Sequence, residues 1–190
     1  MRSVKSVAHD ASPTYRRVMR QSPSPTDYDA WVRLLGTSNQ RPAAKRHLQV
    51  SGRAALDALR RGLQHPKPIV RQMCVGILDR VVDQEAYGDL VAVLDDEDIG
   101  VRKRALHALA RERCKEDDCR LDEDLFVSRA LQLLRDKNPE LRVSAIGALA
   151  LTATRQSEVK DALVGVSRRD PHPGVRNAAR LSLRRVGLTP

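Results

Sequence analysis

The chain has 190 residues, a formal net charge of +10, 41% hydrophobic residues and only 3% aromatics, which suits one compact domain or one short repeat array and not two independent domains. No apolar run approaches the roughly 20 residues that cross a bilayer, and no signal-like segment follows Met1. Three cysteines, Cys74, Cys114 and Cys119, are too few for a disulfide framework, so the expectation is a cytoplasmic protein that is not associated with a membrane.

Along the chain, residues 1–26 mix Ser, Pro and Arg without a period. With Arg2, Lys5, Arg16, Arg17 and Arg20 set against Asp10 alone, they read as a disordered basic tail, with an organelle transit peptide as the alternative. Ser22-Pro-Ser-Pro25 is a candidate for phosphorylation. Residues 27–190 form one repeat domain, which opens at 27–52 with a degenerate capping repeat. A helix from Asp27 to Leu35 carries Trp31, Leu34 and Leu35 over the open end, and Pro42-Ala-Ala-Lys45 followed by Leu48 supplies its second helix.

Beyond residue 52 a phrase recurs: Pro68-Ile-Val-Arg71, Gly100-Val-Arg102, Glu140-Leu-Arg142 and Gly174-Val-Arg176, with the arginines 31, 40 and 34 residues apart. Such intervals match a stack of helical hairpins. The third residue after each arginine is Cys74, Ala105, Ala145 or Ala179, and the seventh is Leu78, Leu109, Leu149 or Leu183. With Val70, Val101, Leu141 and Val175 just before the arginines, these positions lie on one side of a helix. Eight residues upstream of the first three arginines, Leu63, Leu94 and Leu134 close an earlier apolar helix, and turn formers bridge the two. The predicted repeats are 53–83, 84–113, 122–152 and 156–187, with an acidic insertion loop at 114–121. The fourth residue after the arginine is Val75, Leu106 and Ile146, then Arg180; a charge there marks a solvated terminal cap, and the array ends near Gly187.

These residues resemble the HEAT-repeat superfamily, particularly the short HEAT-like repeats also found in phycobilin lyases. The pattern Asp96…Val101-Arg102…Ala105…Leu109 carries the resemblance, which spans about residues 53–187. It implies an all-α fold, a right-handed α-solenoid of about four to five helical hairpins. It leaves function open, because such repeats serve scaffolds, transport receptors, lyase chaperones and DNA glycosylases. Iron-carrying helical-repeat hydroxylases need repeated His-Glu pairs, and the sequence contains none.

Within similar repeats the turn acid and the arginine form a structural ladder between hairpins, which here assigns Asp96, Arg102, Asp136, Arg142, Asp170 and Arg176 to that role. Arg71, opposite His65, is the weakest rung. Partner contacts are expected on the exposed side of the second helices, which line the concave surface in HEAT-like arrays: Gln72, Met73, Arg80, Lys103, Arg104, His107, Arg111, Asn177 and Arg185. The corresponding Val143, Ser144, Gly147 and Leu151 form a shallow uncharged patch. His107, Cys114 and Cys119 supply three soft ligands, one short of a structural zinc site, so no metal and no cofactor is expected; Cys114 and Cys119 as a redox pair stay open. No catalytic motif occurs. The expectation is a non-enzymatic module, monomeric on its own, that binds a protein. The alternative is nucleic-acid binding with an architecture like DNA glycosylases, and a lyase-type chaperone ranks below both. Lys/Arg outnumber Asp/Glu 15 to 5 in residues 1–80 and 9 to 3 in 141–190, but not in 81–140, at 10 to 16. A nucleic-acid binder more often carries one continuous basic face.

Overall fold

The structure is a computed structural model that describes residues 22–81, 86–110 and 123–190. The expected tail over 1–21, the insertion loop at 114–121, Arg111, Cys114 and Cys119 lie outside the described residues. Among the described residues every regular element is helical, arranged as five successive hairpins: α1 Tyr28–Leu34 with α2 Arg41–Ser51, α3 Leu56–Gly62 with α4 Pro68–Val81, α5 Tyr87–Ala92 with α6 Ile99–Leu109, α7 Glu123–Leu133 with α8 Pro139–Leu149, and α9 Ser157–Arg169 with α10 Pro173–Arg185.

Local chemistry starts the second helices abruptly. Pro68, Pro139 and Pro173 occupy first-turn positions, where a missing N–H costs nothing. Side chains of Asp98, Asn138 and His172 accept from the free N–H groups of Val101, Glu140 and Gly174, each such cap contributing about 1 kcal/mol. Successive second helices pack directly on one another, α4 on α6, α6 on α8 and α8 on α10. The residues three after each arginine, Cys74, Ala105, Ala145 and Ala179, are fully buried, and Cys74 Sγ lies against Gly62 of α3, so small residues at this position let helices approach. Burial also pushes the Cys74 thiol up to about 12, so it packs as a small apolar group and not as a nucleophile.

The first hairpin is built around an aromatic stack. Trp31 is buried, its indole stacks on His47 with ring centroids 4.1 Å apart, and its Nε1 donates to Ser24 O at 3.0 Å. His47 Nε2 donates to Pro25 O at 2.9 Å. Residues 22–26, expected as the end of the disordered tail, are therefore fastened to the first hairpin, because a buried indole N–H needs an acceptor and the carbonyl of Ser24 supplies it.

Two glycines separate packing from helix propensity. A Cβ at Gly62, which ends α3, would lie 2.5 Å from Cys74 Sγ and 2.8 Å from Val32 Cγ1, whereas one at Gly147 in α8 would meet nothing within 4 Å. Gly62→Ala is expected to lower stability by about 1–3 kcal/mol through overpacking, and Gly147→Ala to raise it by about 0.5–1 kcal/mol. Urea denaturation of both variants checks this; equal effects would contradict the packing described.

Candidate functional site

The turn between the helices of each hairpin carries a ladder of charges. Arg71 donates from Nε and NH2 to the two carboxylate oxygens of Asp96, both at 2.7 Å, and reaches Glu97 at 3.2 Å. Arg142 grips Asp170 in the same way, at 2.8 Å twice. Arg102 makes one bond to Asp136 at 3.0 Å, and its buried Nε has no partner among the described residues. In every case the aspartate belongs to the following hairpin. The arginine's NH1 is anchored backwards on its own turn: Arg71 on His65 O and Pro66 O, Arg142 on Asp136 O and Lys137 O, Arg176 on Asp170 O and Pro171 O. Each aspartate in turn accepts a backbone N–H two residues on, from Asp98, Asn138 or His172.

This geometry reverses the expected ranking. Arg71 is among the best-satisfied rungs, because an arginine pairs with the acid of the next turn and not with the residue in its own. Arg41 lies thirty residues before Arg71 with Ala44 and Leu48 at the third and seventh places, so it opens the second helix of the degenerate copy, but there it is Nε and not NH1 that bonds back to its own turn, at Leu35 O and 2.7 Å. By position, His65 stands where the other turns carry the aspartate that accepts from the preceding hairpin. His65 Nδ1 keeps the local role, accepting from Lys67 N at 3.0 Å, without the charge. Desolvation and the nearby Lys67 and Arg71 cations hold its pKa below the usual histidine range.

Burial alone would raise the carboxyls of Asp98 and Asp170. It is outweighed at Asp98 by hydrogen bonds from Gln72, Val101 and Gly100, and at Asp170 by the hydrogen bonds and charge of Arg142 with the N–H of His172, so both lie below the ordinary carboxylate value.

The exposed face of the second helices is more varied than charge alone suggests. Gln72 Nε2 donates to Asp98 Oδ1 at 2.9 Å and Lys103 Nζ to Glu140 Oε2 at 3.0 Å, so both tie neighbouring hairpins together. Met73 packs partly against the core. Arg80, Arg104, His107, Asn177 and Arg185 are exposed, with the Arg104 guanidinium lying over Gly76, where an added Cβ would come within 2.9 Å of it. Toward the C-terminal end the face turns apolar. Val143, Leu151 and Leu181 are 39%, 45% and 55% exposed, and Ser144 is half-buried beside them. Leu181 holds on α10 the place that Gly147 holds on α8. On the opposite side, where first helices spread apart, a groove of about 750 Å³ opens between α7 and α9, floored by Val127, Leu131, Ala162 and Val166. No sequence signal marked it, since it arises from helix divergence.

Helical hairpins stacked through second helices and clamped by an arginine–aspartate ladder define an α-solenoid of the repeat class. The chain belongs to the HEAT-repeat family: a family model of HEAT repeats matches residues 13–110 and 127–189. Among solved structures, it is similar to the complex of CpcE and CpcF of phycocyanin lyase from Nostoc sp. PCC7120, with a TM-score of 0.68 at 18% identity over 82% of this chain and 96% of that one. It is also similar to an engineered protein, with a TM-score of 0.54 at 17% identity over 92% of this chain and 88% of that one. No curated protein matches it. No described helix is long and apolar enough to cross a membrane.

Arg142→Ala strands the buried Asp170 carboxylate and is expected to cost about 3–5 kcal/mol, which denaturant titration measures. A depressed folded-state pKa contributes stability above the unfolded value of 3.8 that is lost as pH falls through the folded value. Unfolding free energy should therefore decline below about pH 4, with a shallower decline in Asp170→Asn, measurable by denaturation across pH.

Proposed function

We propose that this HEAT-repeat chain is a non-enzymatic interaction module that binds a protein partner on the exposed surface of its second helices. The observation that carries the reading is the set of exposed apolar side chains Val143, Leu151 and Leu181 at the carboxyl-terminal end of that face. Burying one such side chain fully contributes about 1.5–3 kcal/mol, so exposed apolar side chains on one face gain by association. Gly147 supports the same reading: it lowers helix propensity, and no packing contact requires it. On the same exposed side His107, Asn177 and Arg185 are polar and open to solvent, the composition usual at the edge of a protein interface.

Nucleic-acid binding is the second reading, favoured by Arg104, Arg180, Arg184 and Arg185, which have no ion pair among the described residues. A phosphate backbone is best followed by a continuous cationic track. Here Lys103 is engaged by Glu140 and the adjoining stretch of α8 is uncharged, so the track is broken. A lyase-type role rests on likeness of fold alone, at an identity of 18%.

The double variant Leu151→Asp, Leu181→Asp alters only exposed positions, so its melting temperature should stay within a few degrees of the parent. A protein recovered reproducibly by the parent in quantitative affinity capture should be lost by this variant. Capture that is indifferent to both substitutions would refute the surface. DNA or RNA binding that persists at near-physiological salt would favour the second reading instead.

A further inference from the structure

The last rung of the ladder is incomplete in a specific way. In Arg71 and Arg142 the backward anchoring of NH1 aims the Nε–NH2 edge at the next turn, where one aspartate accepts both N–H groups at 2.7–2.8 Å. Arg176 is anchored alike, with NH1 2.7 Å from Asp170 O and 3.1 Å from Pro171 O. Its Nε and NH2 have no partner among the described residues. The side of α10 that faces away from the stack has changed character to match: Arg180 occupies the place at which Val75, Leu106 and Ile146 are fully buried, and Arg184 follows one turn later. Both are exposed, and neither has an ion pair among the described residues.

We propose that this end face docks an acidic segment of a partner protein. One aspartate or glutamate carboxylate accepts from Arg176 Nε and NH2, as Asp96 does from Arg71, and further acids lie against Arg180 and Arg184. A planar two-oxygen acceptor is what the pre-oriented fork fits, as its two complete counterparts demonstrate, and two extra cations select an acidic surrounding sequence. Head-to-tail stacking of a second copy does not meet the requirement. At the place of the accepting aspartate the first hairpin carries Leu35, which is fully buried. The end face is separate from the second-helix surface, so it stands or falls independently of the exposed apolar side chains there.

The test uses the full chain, isotopically labelled, titrated with a synthetic peptide copying residues 93–100, the turn that receives Arg71, and with the same peptide carrying Asp96→Asn. The expected result is a saturable shift of the Arg176 Nε–H resonance, with affinity at least about tenfold weaker for the asparagine peptide. Arg176→Lys keeps the charge but not the fork and should weaken binding to a similar extent, as should the doubly exposed variant Arg180→Glu, Arg184→Glu, which leaves the ladder untouched and guards against a folding defect. Equal binding of the two peptides, or of parent and Arg176→Lys, overturns the proposal and leaves only diffuse charge attraction. A short DNA duplex that binds more tightly than the peptide and depends on Arg176 would overturn it in favour of phosphate.

Discussion

The stack depends on guanidinium groups that are nearly removed from water. Arg71 and Arg142 are only 6% and 8% exposed, and a charge so placed is costly unless every donor is used. Two backbone carbonyls behind and one carboxylate ahead meet that demand. Because the fork is planar and the carboxylate is itself held by the N–H two residues on, the pair fixes distance and rotation together. The hydrophobic core alone would permit sliding between hairpins; the ladder sets the register in which Cys74, Ala105, Ala145 and Ala179 meet their neighbours.

That register also produces the functional surface. Once successive second helices are aligned, the positions one, two and five after each arginine fall in adjacent columns. Their content, polar in α4, cationic in α6 and apolar in α8, becomes a graded face running along the array. Ion pairs between first helices, Arg61 with Asp29, Arg60 with Asp89 and Arg129 with Asp95, also cross from hairpin to hairpin, yet they are more exposed and contribute less each. The first helices spread as a result of looser packing, and the groove between α7 and α9 follows.

Much of the architecture was legible because it repeats. Arginines with small residues three places on and leucines seven places on report helix, face and interval at once, and the buried set includes Leu63, Leu94 and Leu134 as the pattern implied. Pairing direction was not legible. An arginine and the acid six residues before it look like partners in a line of text, and only the stacking reveals that the acid serves the preceding hairpin; the roles of His65 and Arg41 were obscured for that reason. The first hairpin was hard to align because Gln40 precedes Arg41 where other copies have Val or Leu. Residues 22–26 carry no periodicity, and what orders them is a pair of carbonyls, which sequence does not advertise. Among the exposed positions, Gln72 and Lys103 could not be told from contact residues, since their partners Asp98 and Glu140 are 26 and 37 residues away.

The ladder has a direction, because the arginine reaches forward and the aspartate receives. During synthesis, each hairpin leaves the ribosome with a cation that stays in water until its counter-charge is translated and packs against it: Arg71 waits for Asp96, and Arg142 for Asp170. The aspartates are less exposed to such delay, since the N–H groups of Asp98, Asn138 and His172 arrive almost with them. Folding thus consolidates from the amino-terminal end with a lag of one repeat, and each new turn locks the hairpin made before it rather than its own.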